Sequence, residues 1–282
     1  MKCLVLSDIH GNWPALQAVL AAERDADQVL CLGDLVNYGP QPAECIAWAM
    51  KLSPPSRVIQ GNHDRAFARN SEPHCAPVNR LFAQAMGMAT SSLLTVEMKH
   101  FLAKLEPLQT FRWGEISCFA CHRVSGHPLN SNSVQRLNDV NWNATELTRL
   151  HSDIILTGVP GNLFVLVGHP DFLFLADSHV ALKTELNGTV VVNPGSVGTP
   201  ADGDLRAAYA VWQDGEVTFH RRTYDVEETV RAYESLDLEE QIKQQLIEGL
   251  RTGTCLATRP VAEAAPQNTK KHINPERISS RG

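Results

Sequence analysis

Lys2-Cys3-Leu4-Val5-Leu6-Ser7-Asp8-Ile9-His10-Gly11-Asn12-Trp13-Pro14 opens the chain with an apolar run, a polar cluster and a helix start, in that order. Lys2 to Leu6 reads as a buried strand. Asn12 can cap a helix with Pro14 in its first turn, and Leu16, Val19 and Leu20 then share one face. The pattern continues: Gln28 to Leu32 is a second strand, Pro42 to Leu52 a helix with Ile46 and Met50 on one face, and Arg57 to Gln60 a third strand. A β-α-β-α-β succession predicts a parallel sheet with helices against it, and places active residues where the strands end.

Residues 76 to 105 read as helical and are expected to cap a sheet edge. From Gln109 the pattern changes to short strands: 110–112, 115–121, 153–156, 163–167, 172–175, 180–184, 189–192, 207–212 and 217–224. Asn187-Gly188 and Asp214-Gly215 are hairpin turns. Asn143, with Glu146 three residues on, predicts one interrupting helix. Asp225 to Leu250 returns to helix, and the polar, proline-containing stretch 251–282 is expected to be disordered. The expected organisation is a domain over 1–224, helices over 225–250 packed on it, and a tail.

The 282 residues are 43% hydrophobic and 20% charged, which excludes a disordered or collagen-like chain. Apolar runs such as Ile154 to Leu156 fall far short of the roughly 20 residues of a membrane span. The first apolar stretch is too short for a signal peptide and meets Asp8 at once, so the chain is read as cytoplasmic. Seven scattered cysteines suit reduced thiols better than a disulfide framework. Residues 251–282 hold six Lys and Arg against two Asp and Glu, leaving 19 against 29 in residues 1–250. Such an acidic body disfavours nucleic acid, and handling phosphate would require bound cations.

Three polar clusters follow three successive strands: Asp8-Ile9-His10-Gly11-Asn12, Gly33-Asp34 and Gly61-Asn62-His63-Asp64. Asp and Asn caps with Gly turns explain any one of them. They do not explain two histidines and three aspartates converging. Carboxylate and amide oxygens mixed with imidazole suit Mn, Fe or Zn, and a shared carboxylate makes a paired site with ions about 3.5–4 Å apart.

Together with Gly33 to Pro40 and Asn193-Pro194-Gly195-Ser196-Val197-Gly198, these clusters resemble the calcineurin-like metallophosphoesterases, especially their small bacterial and archaeal phosphodiesterase-type branch. The resemblance covers about residues 1–224. It implies an α/β fold of two mixed β-sheets packed face to face and flanked by helices, in four α-β-β-α layers. It implies two divalent metal ions, Mn²⁺ foremost with Fe, Zn or Ni as alternatives, and a bridging hydroxide that attacks a small phosphorylated substrate. Carried over by motif, Asp8 and His10 bind the first metal, Asp34 bridges, and Asn62 binds the second. His63 faces the leaving oxygen, oriented by Asp64. A further histidine follows a strand in the family, commonly as His-Gly; here His122 takes that place, with His127 behind it, and Arg123 replaces glycine. The last motif, normally Gly-His-x-His, is assigned to Gly168-His169-Pro170-Asp171 in preference to Gly158-Val159-Pro160-Gly161. His169 then serves the second metal and Asp171 puts carboxylate on the first. Asn12 and Arg123 are the expected substrate contacts, with Trp13, Asn37 and Tyr38 as candidate pocket walls.

Cys118-Phe119-Ala120-Cys121-His122 also matches a c-type haem attachment sequence, but its alternation is that of a strand and no export signal accompanies it. Asn143 and Asn187 match glycosylation patterns and are better read as cap and turn. Phosphomonoesters, phosphodiesters including cyclic nucleotides, and dinucleoside polyphosphates are all candidate substrates. The competing reading is a protein-binding scaffold that keeps the fold and has lost catalysis, as one retromer subunit resembling this family has. Asp171 and Arg123 are the departures that favour it.

Overall fold

A computed structural model of the chain describes residues 1–73, 75–123, 170–186 and 188–254. Strand β1 (Lys2–Leu6) pairs in parallel with β2 (Gln28–Cys31), which pairs in parallel with β3 (Arg57–Val58). Helices α1 (Trp13–Ala22) and α2 (Pro42–Ala49) are the crossovers. Each has a proline in its first turn, Pro14 and Pro42, whose missing N–H costs nothing there, and Asn12 Oδ1 accepts from the Ala15 N–H of α1. Antiparallel β9 (Ala207–Gln213) and β10 (Glu216–Arg222) complete this sheet in the order β10-β9-β1-β2-β3. Their turn, Asp214-Gly215, has φ of 51° and 94°, the left-handed pair a two-residue hairpin needs.

The second sheet runs β4 (Leu108–Trp113), β5 (Ile116–Cys121), β6 (Phe172–Phe174), β8 (Thr189–Pro194), β7 (Ala181–Leu186) in spatial order. Its central pairs β5/β6 and β6/β8 are parallel, and its outer pairs antiparallel. Both sheets are therefore mixed, the α/β architecture that the resemblance implies.

Strand periodicity splits β1 between two cores. Val5, with Leu30, Ile59 and Trp212, faces Trp113, Phe174 and Val192 of the second sheet, and the Trp113 and Trp212 rings lie 4.3 Å apart. Leu4 and Leu6 face Leu16, Val19 and Ile46 of the helices. Burial of each such side chain contributes about 1.5–3 kcal/mol.

Residues 76–105 form a short 3₁₀ turn (Pro77–Asn79), α4 (Arg80–Ser91) and α5 (Val96–Lys104), preceded by α3 (Asn62–Arg69). Just past α5, Glu106 bridges Ile59 at the β3 edge. The helices expected over 225–250 are α6 (Val226–Glu234) and α7 (Glu240–Thr252). Helix α7 runs beyond residue 250 and ends on Gly253 at φ 62°. Tyr233 and Leu246 of these helices pack with Phe82 and Met86 of α4 and with Tyr38. The strands expected at 153–156 and 163–167, the helix at Asn143 and most of the tail lie outside the described residues. Among the described residues no helix is long and apolar enough to cross a membrane.

Candidate metal centre

Because β1, β2 and β3 are parallel, the loops at their C-terminal ends emerge side by side. Backbone bonds sew them together: Asp8 N donates to Gly33 O (3.1 Å), His10 N to Asp34 O (2.8 Å) and Gly11 N to Leu35 O (2.9 Å). The second sheet adds the ends of β5 and β6, joined by Ala176 N donating to His122 O (2.9 Å). Behind them lies the 193–198 loop. Ser196 Oγ and Gly198 N both donate to Asp8 O, and a Cβ on Gly198 would collide with the Ile9 carbonyl. Asp8, His10, Asp34, Asp177 and His179 all hold left-handed φ values, between 46° and 69°. Such backbone costs about 1–3 kcal/mol per residue and gathers at functional sites.

Three histidines point Nε2 inward for one reason. His10 Nδ1 donates to Val36 O (3.0 Å), His122 Nδ1 to Leu32 O (2.6 Å) and His179 Nδ1 to Thr199 O (2.6 Å). A carbonyl only accepts, so each Nδ1 carries hydrogen and each Nε2 is left to bind a cation. His10 Nε2 and His179 Nε2 then face each other at 3.2 Å. Asp8 Oδ1 lies 3.5 Å from His179 Nε2, 3.8 Å from His122 Nε2 and 3.9 Å from His10 Nε2, and neither Asp8 carboxylate oxygen accepts a hydrogen bond from the described residues. Asp34 Oδ2 lies 3.1 Å from His122 Nε2 and 3.8 Å from His10 Nε2. These spacings suit ligands that surround an ion at about 2.0–2.2 Å. Two buried groups, Asp8 with His10 and His179, and Asp8 with Asp34 and His122, could each hold one.

The electrostatics agree. Burial lowers the tendency of the His122 imidazole to charge, but Asp34, Asp8 and Asp177 override it and push its pKa up to about 10. Burial raises the Asp8 carboxyl, whereas Asp34 is held down, against burial, by His122, His63 and His10. Burial takes His10 well below its usual range and His63 down to about 4, so both are neutral at pH 7. In the absence of a cation, a proton on His122 takes its place.

Of the residues expected at the site, Asp8, His10, Asp34 and His122 converge. Asn62 opens α3 beside His63, whose N–H donates to Asp34 Oδ1 (2.9 Å). The His63 ring packs on those of His10 (5.2 Å) and Tyr38 (4.8 Å), and its Nδ1 is buried with no hydrogen bond to the described residues. Asp64 does not orient His63. Its carboxylate accepts the N–H groups of Asp34 (2.8 Å), Leu35 (2.9 Å) and Gly61 (3.0 Å), fastening the second and third loops together. Burial and Asp34 push its pKa up to about 7, opposed by the Gly61 and Leu35 N–H groups and by His122.

Asn12 is not available to substrate. It is buried, with Nδ2 donating to Gly198 O (2.9 Å) and Tyr224 OH (3.0 Å), and Oδ1 accepting from Ala15 N (3.2 Å) and Thr229 Oγ1 (3.0 Å). Asn37 likewise spends its amide on Ala83 O and Tyr38 N. Arg123 stands at the rim, Nε 3.4 Å from Asp177 Oδ2.

Asp171 is displaced from the centre altogether. It is exposed at the start of β6 and accepts from Ser117 N and Oγ, both at 2.7 Å. Parallel pairing puts Ser117 and His122 at opposite ends of β5, roughly 16 Å apart at 3.3 Å per residue. His169 and His127 lie outside the described residues. At the correct end of β6 stand Asp177 and His179, which the sequence reading passed over. Their signal was a strand, 172–175, followed by Asp-x-His with Ala176 where glycine was sought. Cys118 and Cys121 lie an odd number of residues apart on β5, so they face opposite sides; the six described cysteines are free thiols.

A model of the family described as calcineurin-like phosphoesterase matches residues 1–192. An uncharacterized protein of Methanocaldococcus jannaschii is 30% identical over 240 residues, spanning 82% of this chain and 90% of its own. A symmetrical bis(5'-nucleosyl)-tetraphosphatase of Psychromonas ingrahamii is 33% identical over 67 residues, only 23% of this chain and 24% of the relative. Among solved structures, a metallophosphoesterase from Sphaerobacter thermophilus superimposes with a TM-score of 0.62 at 27% identity, over 90% of this chain and 99% of that one. A hypothetical protein from Pyrococcus horikoshii shares the fold, with a TM-score of 0.63 at 20% identity over 87% and 97%.

Proposed function

The chain belongs to the calcineurin-like phosphoesterase family, and on that premise we propose that it hydrolyses phosphate esters with two divalent cations held by Asp8, His10, Asp34, Asn62, His122 and His179. One observation carries the reading. His10 and His179 face each other through Nε2 at 3.2 Å with both Nδ1 atoms committed to carbonyls, beside an Asp8 carboxylate that accepts no hydrogen bond from the described residues. Lone pairs so disposed repel unless a proton or a metal cation lies between them, and the neighbouring Asp8 carboxylate makes the place one for positive charge.

When bound, such ions polarise phosphate oxygens and make a shared water acidic enough to attack phosphorus near neutral pH. The protein supplies the rest. Asp8, common to the two groups, and Asp34, whose Oδ2 lies near both His122 and His10, would hold both cations. His63, neutral at pH 7, stabilises the leaving oxygen by donating a hydrogen bond. Arg123 adds fixed positive charge at the rim. Carboxylates and an amide beside imidazole favour Mn²⁺ as the native ion. Unbridged, buried thiols fit a cytoplasmic location.

Phosphomonoesters and phosphodiesters are the substrate class, and dinucleoside tetraphosphates join it through the 67-residue likeness to the Psychromonas enzyme. The test is turnover of p-nitrophenyl phosphate, bis-p-nitrophenyl phosphate, a dinucleoside tetraphosphate and sugar phosphates, with and without Mn²⁺ and with Asp34→Asn as control. Mn²⁺-dependent hydrolysis, lost at least about 100-fold in Asp34→Asn, is the expected result. Ions bound without turnover of any of these would leave a binding scaffold instead.

A further inference from the structure

Beyond the six ligands, the end of β6 brings a carboxylate to the centre that no step above uses. Asp177 sits in a left-handed backbone at φ 69°, with Oδ1 3.9 Å from His122 Nε2 and Oδ2 3.4 Å from Arg123 Nε. Both side chains are mostly withdrawn from water, at 11% and 18% exposure, where charges act on each other strongly. The Asp177 carboxylate thus has one oxygen toward the group of His122 and the other toward a guanidinium that cannot lose its charge.

We propose that Asp177 completes the cation site of Asp34, Asn62 and His122, and that Arg123, a positioning residue, competes for its carboxylate and holds that site weaker than the site of His10 and His179. The inference rests on the reading of a paired metal centre. Carboxylate at this position gives the second ion a hard, negative ligand, and the arginine that directly follows His122 draws part of that charge away. Removal of the arginine frees the carboxylate for the ion; removal of the carboxylate takes away one ligand from one site and leaves the His10–His179 site intact.

The experiment titrates the metal-stripped full chain with Mn²⁺ and counts free ion by electron paramagnetic resonance. The wild type takes up two ions in two steps of unequal affinity. Asp177→Asn weakens the weaker step by about 10–100-fold, the range for loss of a supporting ligand, and shifts the tighter step less than about threefold. Arg123→Gln, which keeps a polar side chain and removes the charge, tightens the weaker step by roughly 3–10-fold. Equal affinities in the wild type, a weaker step unmoved by Asp177→Asn, both steps moved together, or a weaker step that Arg123→Gln leaves unchanged or loosens would each overturn the proposal. A wild type that takes up no ion would instead sink the metal centre itself.

Discussion

His179 and Asp171 are separated by eight positions and by the length of a strand, and they show where reading by motif parts from reading by placement. Gly168-His169-Pro170-Asp171 has the letters of the expected pattern, yet Asp171 lies at the start of β6 and bonds Ser117. Ala176-Asp177-Ser178-His179 lacks the glycine and stands at the strand's other end, where His122 is. Position relative to the strand end decides ligation, and a three-residue strand is too faint in one sequence to fix it. His179→Ala is therefore expected to lose one Mn²⁺ per chain and at least about 100-fold in turnover, while Asp171→Ala keeps both within about twofold; metal counting and phosphodiesterase assay on the two variants decide. His122 gives a second prediction. Its pKa in the cation-free protein, about 10, lies above the value near 6.5 of an unfolded chain. The stabilisation is thus full below about pH 6.5 and is lost as pH rises through about 10. A cation must expel this proton, so loading at pH 7 releases on the order of one proton per chain and affinity rises with pH. Calorimetry in two buffers of different ionisation enthalpy reads it directly; heats independent of buffer would contradict the assignment.

The connections between elements carry as much of the site as the ligands do. Strands β1 to β3 were legible because buried parallel strands read as unbroken apolar runs, and the polar residues that follow them could be assigned to one sheet end on that ground alone. What Asn12 and Asp64 do was not legible. Both have side chains suited to substrate or catalysis, and only coordinates reveal that their hydrogen-bonding capacity is consumed by Gly198, Tyr224, Ala15 and Thr229 in one case and by Asp34, Leu35 and Gly61 in the other. Asp64→Ala leaves three backbone N–H groups at the loop junction without their acceptor. It is expected to cost about 3 kcal/mol or more, roughly 5–10 °C in melting temperature, with loss of bound metal as the loops part. Thermal denaturation measured on the cation-free protein separates the fold's loss from the metal's, and an unchanged midpoint would show that the clamp is idle.

Across the whole molecule, two mixed sheets meet through Trp113, Phe174 and Trp212, and each brings candidate ligands to one rim: Asp8, His10 and Asp34, with Asn62 proposed beside them, from the first, His122 and His179 from the second. The proposed centre therefore spans the joint between sheets, and cations bound there would hold the halves of the fold together. Chelation is expected to lower the melting temperature by several degrees, since a ligand at about 100 times its dissociation constant adds about 2.7 kcal/mol, and added Mn²⁺ should restore it; a midpoint indifferent to chelator would speak against the coupling. The most direct test is anomalous diffraction at the manganese edge from Mn²⁺-soaked crystals. Two peaks about 3.5–4 Å apart, one beside Asp8, His10 and His179 and the other beside Asp34, Asn62 and His122, are the predicted result. An empty map at these side chains in Mn²⁺-saturated crystals would contradict the account.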